Sequence, residues 1–325
     1  MEGLIAVTYR CNARCHMCNT WQHPSDPADE LQPHHLESLP RLRFANITGG
    51  EPFLRDDIED IIEVVRRRAD RLVISSNGYL TERVVEVARR FPDIGFRASI
   101  EGLPAANDDL RGLDDGFDHG LRMLLRLRAL GVKDIGFSTT MSDRNIDDVL
   151  ELYELAEAAG WEFATSCTHN SYYFHKFDNV IADREHAVEV LHELAGRMLK
   201  SRRPKSWFRA WFNMGLANRI QGGGRLLPCG AATNVFFIDP FGEVRPCNVM
   251  EESLGSLKAK PFAEIWGGST AAEVRRRVAS CEEECWMIGT VAPAMKGNLR
   301  VPARWVLKAK LSGKLPPVTE YSCRH

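Results

Sequence analysis

Three thiols fall within eight residues, Cys11-Asn12-Ala13-Arg14-Cys15-His16-Met17-Cys18, at the spacing C-x3-C-x2-C. Thiolates are soft ligands that favour zinc, copper(I) or iron–sulfur iron, and a looped backbone can bring this spacing onto one centre. The count is informative. A structural zinc ion takes four closed protein ligands, whereas a 4Fe-4S cluster held by three cysteines leaves one iron open to bind something else. No histidine follows at zinc-finger spacing, so zinc would have to borrow a distant fourth ligand. A zinc knuckle or three unrelated thiols are the bland alternatives.

Four further cysteines form a second set. Cys229 precedes the β-favouring run Val235-Phe236-Phe237-Ile238, a turn at Asp239-Pro240-Phe241-Gly242, and Val244-Arg245-Pro246-Cys247. A hairpin with a thiol near each end brings the two together, and Cys281-x3-Cys285 after a short helix can close the set. Taken alone, four thiolates satisfy a zinc ribbon as well as one cluster. Cys167 and Cys323 stand outside both sets, each available as a donor thiol or as an ordinary buried cysteine.

The elements that must carry these groups read as a repeat. Residues 4–8 form a short apolar strand that delivers the first cysteine loop at its C-terminal end, where α/β sheets place their chemistry. Strands follow at 44–48, 72–76, 94–100, 135–140 and 163–166. Helical stripes lie between them, such as Ile58, Ile61, Ile62 and Val65, begun by acid at Asp56 and Asp57 and closed by Arg66 to Arg68. A helix over about 117–130 and another marked by Ile146, Val149, Leu150 and Tyr153 continue the rhythm. Six strand–helix alternations argue for an α/β fold with a parallel sheet curled by right-handed crossovers. Beyond Cys167 the rhythm stops. Residues 170–179 are aromatic and polar, able to line a pocket or, the preferred reading, to pack as a loop. Helices are expected near 185–199 and 207–220 around a basic, proline-containing joint at 202–205, with Gly222-Gly223-Gly224 as a flexible boundary.

With 325 residues, 44% of them hydrophobic, the chain can bury a large domain plus a small one. A formal charge of -2 on 42 basic and 44 acidic residues gives no global pull toward nucleic acid. The N-terminal run lacks a basic start and is too short for a signal peptide or a span, so the expected location is cytoplasmic, where clustered cysteines stay reduced and hold metal. Residues 286–319 carry Lys296, Arg300, Arg304, Lys308, Lys310 and Lys314 and no acid. Such a segment could touch an anionic membrane surface; a solvated helix packed over the barrel is preferred.

The Cys11–Cys18 loop resembles the signature loop of the radical S-adenosylmethionine (radical SAM) superfamily, with Met17 at a position that is more often aromatic. Gly49-Gly50-Glu51 resembles that family's GGE element, Ser76-Asn77-Gly78 its T-N-G element, and Ser99-Ile100-Glu101-Gly102 its S-x-D-G element. The stretch from Asn107 to Gly112 resembles an H-D-x-x-R-G stretch, with Asn107 in place of histidine, so only Arg111 is carried over. Residues 229–285 resemble the twitch domain, a shortened SPASM auxiliary-cluster domain.

The resemblance implies a partial (β/α)6 TIM-like barrel followed by a small α+β twitch/SPASM-like cluster domain. The corresponding division is a core at 1–170, a helical connection at 171–224, a cluster domain at 225–290 and a basic extension at 291–325. It implies a 4Fe-4S cluster on Cys11, Cys15 and Cys18. S-adenosylmethionine would be held by Met17, Gly49, Gly50, Glu51, Asn77, Ser99, Glu101 and Arg111, and one auxiliary 4Fe-4S cluster by Cys229, Cys247, Cys281 and Cys285. The implied reaction is reductive cleavage of S-adenosylmethionine to a 5′-deoxyadenosyl radical that abstracts hydrogen from a substrate C–H. Electron removal through the auxiliary cluster would give oxidation or a crosslink, whereas hydrogen return from Cys167 or Cys323 would give epimerisation. The implied partners are a flavodoxin- or ferredoxin-type reductant and either a sugar- or aminocyclitol-like small molecule or a peptide. The rival of another class is a non-catalytic zinc or iron–sulfur interaction protein.

Overall fold

Short β-branched and aromatic runs alternate with helices whose buried stripes recur every three or four residues, and this pattern dictates the order of elements. The computed structural model describes residues 1–322. The first half comprises β1 (Glu2–Ala6), β2 (Phe44–Thr48), α1 (Ile58–Arg68), β3 (Leu72–Ser76), α2 (Thr81–Arg90), β4 (Gly95–Ser99), α3 (Pro104–Arg111), α4 (Gly116–Ala129), β5 (Ile135–Met141), α5 (Asp148–Ala159) and β6 (Glu162–Cys167). Then follow α6 (Arg184–Lys200), α7 (Pro204–Ile220), β7 (Val235–Ile238), β8 (Glu243–Arg245), β9 (Gly255–Ser256), α8 (Phe262–Gly267), α9 (Ser269–Ala279), α10 (Ile288–Gly297) and α11 (Arg300–Ser312).

The strands lie in the order β6-β5-β4-β3-β2-β1-β7-β8-β9. β1 to β6 are parallel neighbours in sequence order, as the expected partial barrel requires. The hairpin of the second cysteine set is not detached from them. β7 pairs in parallel with β1, in register Leu4↔Phe237, before β8 turns back antiparallel, so one sheet runs through the expected boundary at residue 225. β1 begins and ends two residues earlier than expected. Residues 7–10 leave the ladder of β1 to follow the end of β2, where Val7 N donates to Thr48 O and Gly50 N to Thr8 O. The expected joint at 202–205 is shorter: Pro204 opens α7, a position where its missing N–H costs nothing.

One strand face packs on the helices through Ile5, Ile47, Ile74, Phe96 and Phe137, all buried. The opposite face carries Asn46, Ser75, Arg97 and Ser138 around a cavity, unlike the packed apolar interior of a closed barrel. α7 and α10 cover the open side, locked by Trp286 Nε1 donating to Phe212 O at 2.9 Å. The basic segment splits into α10 and α11. Trp305 is fully buried, while Leu307 and Leu311 face solvent. Among the described residues no helix is long and apolar enough to cross a membrane.

Beneath the cysteine loop sits one buried carboxylate. Glu30 accepts from Ser25 Oγ at 2.6 Å, Arg10 Nη2 at 3.0 Å and Arg55 Nη1 at 3.2 Å, and also from Thr8 Oγ1. Arg55 in turn donates to the carbonyls of Val7 and Leu31, so the pair pins the exit of β1. Arg55→Met leaves Glu30 short of its buried partner. Urea unfolding of the metal-free chain is expected to show a loss of about 3 kcal/mol, and a change below about 1 kcal/mol would contradict this role.

Candidate active site

The first cysteine loop is held on two sides by its own backbone. Glu51 N donates to Arg10 O at 2.8 Å on the β2 side, while Arg14 N and His16 N donate to Arg111 O and Leu110 O at the end of α3, both at 2.9 Å. Gly49 and Gly50 are demanded by this approach: a Cβ on Gly49 would lie 2.5 Å from Thr8 O, and one on Gly50 would lie 2.2 Å from Arg10 O. The pair therefore lets the cysteine loop settle on the strand end, whatever small group it also grips.

Glu51 and Asn77 both bond to the chain itself. Glu51 is fully buried and accepts from Phe53 N, Ser76 Oγ and Asn77 N, tying the ends of β2 and β3. Asn77 Nδ2 donates to Asn12 Oδ1 at 2.7 Å, so its amide steadies the cysteine loop. Ser99 lies half-buried at the end of β4, and Met17 O accepts from Asn179 Nδ2 at 3.1 Å.

Glu101 and Arg111 do come together. Arg111 Nη1 donates to Glu101 Oε1 at 2.9 Å, and Glu101 Oε2 accepts from Thr140 N at 2.5 Å. The Arg111 side chain is only 12% exposed. Its Nε is buried with no partner among the described residues. Although burial disfavours its charge, Cys15 and Glu101 hold the guanidinium ionised. An orphaned, charged donor beside three thiols fits the carboxylate of an amino-acid ligand. Asn107, set aside in the sequence, anchors this pair by accepting from Glu101 N at 2.9 Å.

Burial pushes the Cys11 thiol up to about 12 and raises those of Cys15 and Cys18, with neighbouring acidic groups adding to the effect at Cys11 and Cys15. Sulfur acceptance from Ala13 N, at 3.4 Å to Cys11, and from Thr20 N, at 3.4 Å to Cys18, favours the thiolates a cluster needs.

The second set also converges. Burial, and then the proximity of Cys285 and Cys229, raises Cys247 to about 12; Cys285 is raised to about 11 by burial, with Cys229 and Cys281 adding to it. Among the described residues no three metal-binding side chains are gathered for a metal ion. Arg225, which sequence reasoning missed, donates to Cys285 O at 2.5 Å and leaves Nη2 buried without a partner among the described residues. No spacing rule could have flagged it.

The loop at 170–179 was also underread. It packs, as preferred, but between the two sets. Tyr173 OH donates to Gly49 O at 2.5 Å and Tyr173 O accepts from Thr20 Oγ1, while Tyr173 N donates to Asn248 O beside Cys247. Cys167, at the end of β6, lines a cavity with Cys285, and burial pushes its thiol up to about 12. Cys323 lies outside the described residues.

Comparison with known proteins agrees with this geometry. The profile of the radical SAM superfamily matches residues 5–156, and that of the SPASM iron–sulfur cluster-binding domain matches residues 229–287. The chain is 28% identical to the pre-heme d1 synthase of Dinoroseobacter shibae, over 91% of this chain and 81% of that one. It is 26% identical to the AdoMet-dependent heme synthase of Methanosarcina barkeri, over 85% and 84%. Its fold is similar to native anSMEcpe with bound AdoMet and Cp18Cys peptide, at a TM-score of 0.64 and 16% identity over 87% and 84% of the two chains.

Anaerobic reconstitution is expected to load about eight irons per chain, and about four after Cys11→Ala, Cys15→Ala and Cys18→Ala together. Stoichiometric zinc without a brown chromophore would contradict both cluster assignments.

Proposed function

The chain belongs to the radical SAM superfamily and carries a SPASM-type iron–sulfur domain; from that premise we propose that it oxidises an unactivated C–H position, the second cysteine set receiving the substrate's electron. When bound on Cys11, Cys15 and Cys18, a 4Fe-4S cluster supplies the electron that splits the sulfonium of S-adenosylmethionine and so produces a hydrogen-abstracting radical.

The chain's own residues position and insulate that chemistry. Arg111, braced by Glu101, holds the ligand carboxylate, and the Gly49–Gly50 turn keeps the cysteine loop seated beside it. Four thiolates in the second set leave no iron open, which favours electron transfer over substrate coordination. Tyr173 fixes the spacing of the two sets by bonding to the backbone of both.

The observation that carries the oxidation reading is a cavity of about 400 Å³ where the end of β6 meets the second set. Its walls include Cys167 and His169 from the end of β6, and Cys285 and Met287 from the second set. Thr168 Oγ1 and His169 Nε2 are buried there without partners among the described residues, and burial keeps the His169 ring below its usual pKa and so neutral. A substrate in this space would touch the barrel end and the electron acceptor at once. The names of the two heme-pathway synthases above favour a small molecule of the tetrapyrrole type; a peptide is the second class, favoured by a mycofactocin maturase 25% identical over 74% of the chain. A flavodoxin or ferredoxin supplies the reducing electron in the cytoplasm. One observation favours epimerisation as the runner-up: Cys167 lines the same cavity and retains its proton.

With dithionite, the reconstituted chain is expected to release 5′-deoxyadenosine, and the triple replacement of Cys11, Cys15 and Cys18 by alanine to release none. Cys281→Ala with Cys285→Ala should keep S-adenosylmethionine cleavage while losing product oxidation. Wild-type activity in the first variant would sink the assignment, and unimpaired oxidation in the second would sink the acceptor role. Solvent deuterium at the substrate carbon, lost in Cys167→Ser, would select epimerisation.

A further inference from the structure

The cavity inside the curled sheet opens at the end opposite the cysteine loop, and its chemistry is unlike that of the site above. It measures about 440 Å³. Much of its wall is apolar, with Leu4 and Val73 from the strands, Phe208 and Phe212 from α7 and Met295 from α10, beside the polar Asn46, Ser75 and Ser138. α10 lies close on β1, with a Cβ at Gly289 falling 3.3 Å from the Leu4 side chain. This leaves a defined wall rather than a gap between loose elements.

The mouth is cationic. Arg71, Arg97, Lys205, Arg209 and Lys296 all line it, and among the described residues three carboxylates serve them. Asp134 is shared by Arg71 at 2.8 Å and Arg97 at 2.5 Å, Glu162 by Lys205 at 2.5 Å and Arg209 at 2.7 Å, and Glu2 serves Lys296 at 2.7 Å. Five cations over three carboxylates leave an excess of two positive charges around a partly enclosed space. The crowding is felt: burial, and then Arg209, pull Lys205 down to about 8. Arg97 and Arg209 are largely covered, whereas Lys205 and Lys296 are half exposed and able to swing toward a ligand.

A bare inorganic anion would leave the apolar wall in contact with water, and a neutral apolar molecule would leave the charge excess unmet. Only a ligand with both characters satisfies the site. We propose that the N-terminal end of the barrel binds an amphipathic anion, its apolar body inside the sheet between α7 and α10 and its carboxylate or phosphate head on the ring of Arg71, Arg209, Lys205 and Lys296. The site is distinct from the radical centre. Arg97 lies in β4, whereas Glu101 lies beyond its C-terminal end. The inference does not rest on the reaction assigned above, since no cluster ligand takes part in it.

Calorimetry on the anaerobically reconstituted full chain tests this with four probes: dodecanoate, dodecyl phosphate, dodecanol and inorganic phosphate. One of the two amphiphilic anions is expected to bind at a single site at least tenfold more tightly than dodecanol or inorganic phosphate, and their ranking identifies the head group. Lys205→Met with Lys296→Met should weaken that binding at least tenfold, and the double arginine variant should restore it. Ala292→Phe, which fills the cavity from α10, should abolish it while the thermal unfolding midpoint and iron content hold. Dodecanol binding as well as the anions, or any affinity unchanged by Ala292→Phe, would overturn the proposal, as would the absence of binding by both anions.

Discussion

The structure depends on seating an eight-residue loop of three buried thiols over the end of a sheet, close enough to its neighbours that two consecutive residues there can carry no side chain. The Gly49–Gly50 backbone accepts the loop only because a Cβ at either would collide with a carbonyl of residue 8 or 10. The other side of the loop is caught by the last turn of α3, which also aims Arg111 at the thiols. Position and electrostatics are thus set by one contact. The turn of backbone that holds the loop in place carries the guanidinium that balances the charge developing on deprotonated sulfur.

The second thiol set is placed by a different constraint. Because β7 adds to β1 in parallel, the strand leading to the first cysteine loop and the strand leading into the second hairpin share hydrogen bonds along their length. Their register fixes where each loop leaves the sheet. Tyr173 then bonds both exits, one through its hydroxyl and the other through its amide. A rigid spacing between the two thiol sets follows from sheet geometry and one buried ring, without a dedicated linker.

The curled sheet separates two kinds of interior. Residues of one parity meet the helices and are apolar, and those of the other face a cavity and mix apolar Leu4 and Val73 with polar or charged Asn46, Ser75, Arg97 and Ser138. Fully buried parallel strands would be apolar on both faces. The departure from that rule leaves a partial barrel hollow, with cofactor chemistry at one end and a cationic mouth at the other.

Much was legible without coordinates, because spacing along the chain carries it. Six strands at nearly their observed limits, the cysteine loop, the β7–β8 hairpin and the thiols that join it were all readable, since periodicity and the demands of soft-metal ligation are local. Pairings between distant residues were not. Nothing in the composition says that Glu51 and Asn77 tie strand ends and the cysteine loop together, that Arg111 is buried on Glu101, or that Asn107, Arg225 and Tyr173 matter, for each depends on contacts that only the folded chain makes. The same holds for β7 beside β1 and for five cations around one opening. Short-range patterns specify which elements form and which chemistry they can bear; how those elements pack decides which side chains are left facing a ligand and which are already satisfied.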